Sequence, residues 1–278
     1  MRRRHAVAIF AAISAAVFVS GIAQSNPPTL SIVERGKGDP ALVLIHGLGQ
    51  DRGVWDRVSS KLAGRHRLIL VDLPGHGSSA AISPITLAAV ADELDRSLKA
   101  QKVKKAILVG HSYGGLVALQ EAASHPDRTL GVVSIDLATY TQLDSSRVAN
   151  LEMILKQRYL LFVQGVFEPM VRDSSQVDSV LAKAERVSPD VMAAYFRDAW
   201  HVDLRPEIKT LKTPVLLVAT DVTWPAAESW SSARKRLGYE TAGRSDGHRI
   251  WESGHLIPLD QPDSLAAAIE DFASSFSK

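Results

Sequence analysis

Ser112 lies in Ile107–Leu119, ILVGHSYGGLVAL, with Gly110 and Gly114 two residues to either side and apolar residues before and after. A strand that hands over to a helix within so few residues strains the middle of the turn, and small flanking residues let the backbone close. Gly-His-Ser-Tyr-Gly therefore predicts a hydroxyl held above the C-terminal end of a strand. The free N–H groups at the start of the following helix would favour a developing anion there. That is the setting of a serine nucleophile, which needs a base to take its proton.

Nine histidines are available, and His255, in IWESGHLIPLDQP, has the chain order and the loop context for that base. The base needs a carboxylate that holds its tautomer and stabilises imidazolium. Asp221, at the end of PVLLVATD, is the expected partner, and Asp136, at the end of LGVVSID, is its rival. Two backbone N–H groups should converge on the oxyanion. Tyr113, directly after the nucleophile, is expected to supply one, and Leu48 in HGLGQ the other. His76 is read as shaping a loop near the site, His111 as packing beside the turn and Trp55 as anchoring the first helix. His201 and Trp200 are placed near the edge of a cover.

These groups need a scaffold. TLSIVERG, ALVLIHG, RLILVDLPG, KAILVGHS, LGVVSID and TPVLLVATD read as strands, most of them apolar on both faces, as in a parallel sheet covered on both sides. HRIWE is a further short strand-like run. Helical stretches lie between them: Thr86–Ala100 with Thr86 as a possible N-cap, Gly114–Pro126, and Ser264–Phe276. The alternation predicts an α/β fold with a mostly parallel, doubly wound sheet. It breaks between about Thr139 and Pro206, where only helical patterns occur. Asn150–Val171 looks helical there, and the segment is expected to form an all-helical cap.

The chain has 278 residues, 46% hydrophobic and 22% charged, an ordinary globular composition that argues against nucleic-acid binding. With no cysteine, disulfides, thiolate metal sites and a cysteine nucleophile are excluded. Arg2, Arg3 and Arg4 precede an apolar, uncharged run from Ala6 to Ala23, as in a secretory signal peptide; a retained membrane anchor is the alternative. Without residues 1–23 the charge falls from +2 to −1, since 29 Lys and Arg then face 30 Asp and Glu. The expected division is a signal over 1–23, a core over 24–138 and 207–278, and a cap over 139–206. A periplasmic or secreted location would follow.

LVLIHGLGQDRGVW, VDLPGHGSS, LVGHSYGGLVAL and SGHLIPLDQPDSLAAAI, in this order and spacing, resemble the α/β-hydrolase superfamily from about Leu30 to the C-terminus. The resemblance implies the α/β-hydrolase fold with a helical cap. It also implies a catalytic triad on Ser112, Asp221 and His255, with oxyanion donors at Leu48 and Tyr113. Two departures stand out. VATDVTWP reaches its aspartate sooner than the family pattern, which keeps Asp136 in contention, and Gln261 stands where many members carry Glu. Serine at the elbow argues against the dehalogenases and epoxide hydrolases, which resemble this sequence but carry aspartate there. The expected reaction is hydrolysis of a small carboxylic ester without metal or organic cofactor. Alternatives are a lactonase, an aminopeptidase with Glu152, Glu168 or Asp173 facing the substrate amine, and a catalytically silent binding protein on this fold.

Overall fold

The computed structural model describes residues 30–141 and 143–276; the signal-like segment over 1–23 lies outside the described residues. Seven strands, β1 (Ile32–Arg35), β2 (Ala41–Ile45), β3 (Leu68–Val71), β4 (Ala106–His111), β5 (Thr129–Ile135), β6 (Val215–Thr220) and β7 (Ser245–Ile250), form one sheet in the order β1-β3-β2-β4-β5-β6-β7. β1 pairs antiparallel with β3, and every other pairing is parallel. The helices are α1 (Asp56–Leu62), α2 (Leu87–Ala100), α3 (Tyr113–Ser124), α4 (Ser145–Gln157), α5 (Tyr159–Phe167), α6 (Val177–Arg186), α7 (Pro189–Ala199), α8 (Arg205–Thr210), α9 (Trp230–Arg236), α10 (Ile257–Asp260) and α11 (Pro262–Ser274).

The period-2 geometry of a strand divides its apolar residues between two cores. Val43, Ile45 and Leu108 face one core with Val90 and Leu94 of α2 and Val117 of α3. Leu42, Leu44 and Val109 face the other with Leu62 of α1 and Leu265 and Ile269 of α11. Both faces of the sheet are therefore dry, which is why these strands read as continuous apolar runs. α2 starts where its cap predicts, with Thr86 Oγ1 accepting the Ala89 N–H at 3.2 Å. Trp55, fully buried at the start of α1, anchors that helix in the second core.

The chain leaves the sheet after β5 and returns to it at β6 through α4–α8. The two limbs of this insertion run side by side at its base. Tyr140 bridges Asp203, Thr141 N–H donates to Val202 O at 2.9 Å and Leu204 N–H to Thr139 O at 2.8 Å. α8 then drops back, and Ile208 joins the first sheet core. The helical stretch read over Asn150–Val171 is divided at Arg158 (φ −144, ψ 58) between α4 and α5. An unbroken helix across both would be about 35 Å long. The break lets Leu155 and Phe162 pack with Trp200 while Val163 and Phe167 pack with Met192 and Leu256.

Candidate active site

The order of strands places the site. The chain moves outward from β2 to β3, then crosses back to β4 on the other side of β2. Such a reversal opens a crevice at the carboxyl ends of the two central strands. The loop after β2 carries Leu48, and the turn after β4 carries Ser112.

Ser112 has φ 53 and ψ −123, a conformation that L residues seldom adopt. It is held by its own N–H, which donates to Ile135 O of β5 at 2.9 Å, and by the packing of its neighbours. A Cβ at Gly114 would run into the carbonyls of Ile45 and His46, so only glycine lets α3 start this close to β2. Tyr113 opens α3, and its N–H belongs to the first turn, which has no partner inside the helix.

The carboxylate that reaches His255 is Asp136, not Asp221. His255 Nδ1 donates to Asp136 Oδ2 at 2.7 Å. Asp136 Oδ1 accepts the N–H and the hydroxyl of Thr220, at 2.9 and 3.1 Å. Strand order explains the correction. β5 lies directly beside β4, whereas β6 is one strand, about 4.8 Å, farther from the nucleophile. Asp136 also sits at φ 53 immediately after β5, a turn that redirects its side chain. Asp221 is half-buried in the turn after β6 and its Oδ1 has no hydrogen-bond partner among the described residues. Burial pushes Asp136 upward, but the hydrogen bond and charge of His255, with the Thr220 N–H, outweigh it. The carboxyl is held below its ordinary value. An ionised Asp136 fixes the proton of neutral His255 on Nδ1 and leaves Nε2 as the acceptor.

His255 is also held by its backbone. His111 Nε2 donates to the His255 carbonyl at 2.7 Å, and the two rings meet at a tilt of 50° with centroids 4.7 Å apart. Burial and the neighbouring His255 lower His111 to about 3, so it serves as a neutral strut. It does more than the packing expected of it.

Among the described residues, no acceptor takes the backbone N–H of Leu48 or Tyr113, and both residues line the cavity that holds Ser112 and His255. Two more neutral histidines shape the Leu48 loop. Burial lowers His46 to about 4 and His76 to about 3. His46 Nε2 accepts the Leu73 N–H at 2.9 Å, and His76 Nε2 accepts the Gly49 N–H at 3.2 Å. His76 thus takes the loop-shaping place read for it. His201 does not line this cavity; it is exposed, with Nδ1 on Arg197 O at 2.7 Å.

Ser112 and His255 meet across this cavity without a hydrogen bond between them among the described residues. Its volume is about 150 Å³, and the cap closes it with Phe167, Met170, Phe196, Ala199 and Trp200. The cap is tied to the elbow through Tyr113, whose hydroxyl donates to Asp198 Oδ2 of α7 at 2.8 Å. Asp198 Oδ1 accepts the Leu87 N–H at 3.1 Å. Sequence reasoning misses Thr220 and Asp198. Nothing local marks them, because their partners come from other strands and helices.

A profile of the alpha/beta hydrolase family matches residues 42–268. The chain belongs to the alpha/beta hydrolase family. Among the relatives of this hydrolase, a pimeloyl-[acyl-carrier protein] methyl ester esterase of Edwardsiella ictaluri is 30% identical over 195 residues, 65% of this chain and 74% of its own. The lipase LipV of Mycobacterium tuberculosis is 28% identical over 259 residues, 86% of this chain and 96% of its own. A thermophilic esterase from Thermogutta terrifontis shares the fold, with a TM-score of 0.76 at 23% identity over 88% of this chain and 93% of that one. The relatives matched in sequence are thus ester hydrolases, which supports an ester-hydrolase activity for this chain.

Proposed function

We propose that this hydrolase is an exported serine esterase that works through an acyl-enzyme on Ser112. The single observation that carries the reading is the Asp136–His255 hydrogen bond of 2.7 Å, facing the same cavity as the strained Ser112. Catalytic hydrogen bonds are often long in substrate-free sites and tighten when substrate binds. With substrate present, His255 Nε2 takes the Ser112 proton as Oγ bonds to the carbonyl carbon. The carbonyl π electrons move onto oxygen, where the Leu48 and Tyr113 N–H groups receive them. The intermediate collapses, the carbon–alkoxy bond breaks, and the alcohol leaves with the proton from His255. Water then gives a proton to His255 and its oxygen to the acyl carbon. The acid departs and the proton returns to Ser112 Oγ.

An aminopeptidase would need a carboxylate beside the scissile bond. Glu152 is paired with Arg197 at 3.5 Å, Glu168 accepts from Gln164 at 3.1 Å, and Asp173 accepts the Ser175 N–H at 3.0 Å. None of the three lines the cavity. Esters, lactones included, are therefore the favoured substrates. The Arg2–Ala23 signal-like run is the ground for export.

The test is turnover of chromogenic esters by purified protein, with Ser112→Ala as control. Loss of about 10⁴-fold or more in kcat/KM is expected. Full activity in that variant, or a fluorophosphonate adduct on another residue, would rule the mechanism out. N-terminal sequencing of protein from a periplasmic extract tests export, with a start near residue 24 expected.

A further inference from the structure

We infer that the site selects uncharged acyl groups of about six carbons, a short alkyl chain or a single aromatic ring, and that the aromatic wall of the cap sets the limit. The inference rests on the serine-esterase reading of Ser112 and adds to it the class of substrate.

Size comes first. The cavity measures about 150 Å³. A dry apolar cavity of about that volume takes a guest the size of benzene. The polar side chains of the lining are those of Ser112, Tyr113, His111 and His255, and apart from the Trp200 indole N–H the remaining side chains are apolar. No Lys, Arg, Asp or Glu lines it. The carboxylates bonded to lining residues are engaged there: Asp198 accepts from Tyr113 and Leu87, and Asp136 accepts from His255 at 2.7 Å. A carboxylate or ammonium on the acyl chain would lose its hydration there with nothing to replace it.

Direction follows from the reaction. The leaving alcohol must lie against His255, whose side chain is 24% exposed. On this reading the acyl group takes the apolar lining of Phe167, Phe196 and Trp200.

That wall is braced from behind. Phe162, itself 3% exposed, meets Phe196 edge-on with ring centroids 5.0 Å apart and Trp200 at 6.3 Å. Phe196 and Trp200 lie 5.3 Å apart. Phe167 presses on the Leu48 loop so closely that a Cβ at Gly49 would stand 2.5 Å from its Cζ. None of these rings can swing aside without dislodging another. A longer acyl chain would have to displace the cap.

The test is the rate of Ser112 phosphonylation by alkyl fluorophosphonates with ethyl, hexyl and dodecyl chains on phosphorus. In parallel, kcat/KM is measured for p-nitrophenyl acetate, hexanoate, benzoate, dodecanoate and monoadipate. Rates should rise about fourfold per methylene up to six carbons and fall at least about tenfold by twelve. Benzoate should be accepted, and monoadipate should run at least about 100-fold below hexanoate. In Trp200→Leu the dodecyl-to-hexyl ratio should rise about tenfold, with Phe196→Leu as a second opening of the same wall. Fastest labelling by the dodecyl reagent, or equal rates for monoadipate and hexanoate, overturns the inference and leaves the serine reading standing. Failure of every reagent to label Ser112 in folded protein overturns both.

Discussion

The floor of the site and its cap are built on different principles. The floor is the carboxyl edge of the sheet, where backbone strain and buried hydrogen bonds fix single atoms. Of the four non-glycine residues at positive φ among the described residues, Ser112 and Asp136 stand at the ends of the neighbouring strands β4 and β5. Strain of this kind persists only where the surroundings over-determine it, and here close-packed glycines and the Ile135 and Thr220 hydrogen bonds do so. The cap has no such residue among those described. Its rings are held by side-chain packing, and three of the five exposed large apolar side chains among the described residues, Met153, Leu160 and Leu161, belong to it. The contrast separates two tasks. Bond-breaking needs a few atoms held to a fraction of an ångström, whereas recognition of an apolar group needs only a wall of the right shape.

The comparison can be broken most directly at Asp136. Asp136→Asn keeps the shape but removes the charge that holds His255, and kcat should fall about 10³–10⁴-fold. Asp221→Asn should stay within about threefold. Steady-state kinetics on the two variants decide between the two strand ends, and the opposite ranking would restore Asp221.

Acid should attack the floor before the cap. His46, His76 and His111 are held by burial at about 4, 3 and 3 in the fold, and they ionise near 6.5 once unfolded. Between pH 6.5 and about 4 the unfolded chain thus binds up to three protons that the fold refuses. Glu121, which burial raises to about 8, binds a proton in the fold and offsets one of these three, so stability falls as pH falls by about 3 kcal/mol per unit. Asp136 has the opposite timing. Its folded value is depressed, so its contribution is complete above the unfolded carboxylate value and is lost only as pH drops through the lower folded one. Urea midpoints should decline from about pH 6.5 to 4.5. A flat profile would mean that these histidines are not neutral and buried.

Two glycines sharpen the contrast further. Gly114→Ala in the floor sets a methyl group against the carbonyls of Ile45 and His46 and should destabilise by about 3 kcal/mol or more, with activity lost in step. Gly165 lies in α5, where an added methyl group would meet nothing within 4 Å. Gly165→Ala should therefore stabilise the cap by about 0.5–1 kcal/mol, the smallest effect of the set. Thermal melts of both variants check the pair, and a loss of stability at Gly165 would show the cap to be as tightly built as the floor.

The sequence alone determined what short stretches of chain can encode. The Ser112 turn, the His255 loop, the Leu48 loop and the strands that read apolar on both faces are set by local spacing, since a strand–turn–helix switch leaves its signature within a dozen residues. Helix ends with their own cap, such as Thr86, were legible for the same reason. The break at Arg158 was not, because it answers to the packing of Trp200 and Met192 across the cap. The choice of acid belonged to the tertiary structure as well. Asp136 and Asp221 look alike in sequence, each an aspartate closing an apolar strand. What separates them is that β5 lies next to β4 and that Thr220, from the following strand, completes the shell of Asp136. Strand order and a neighbour's hydrogen bond are long-range facts, and they exist only once the chain has folded.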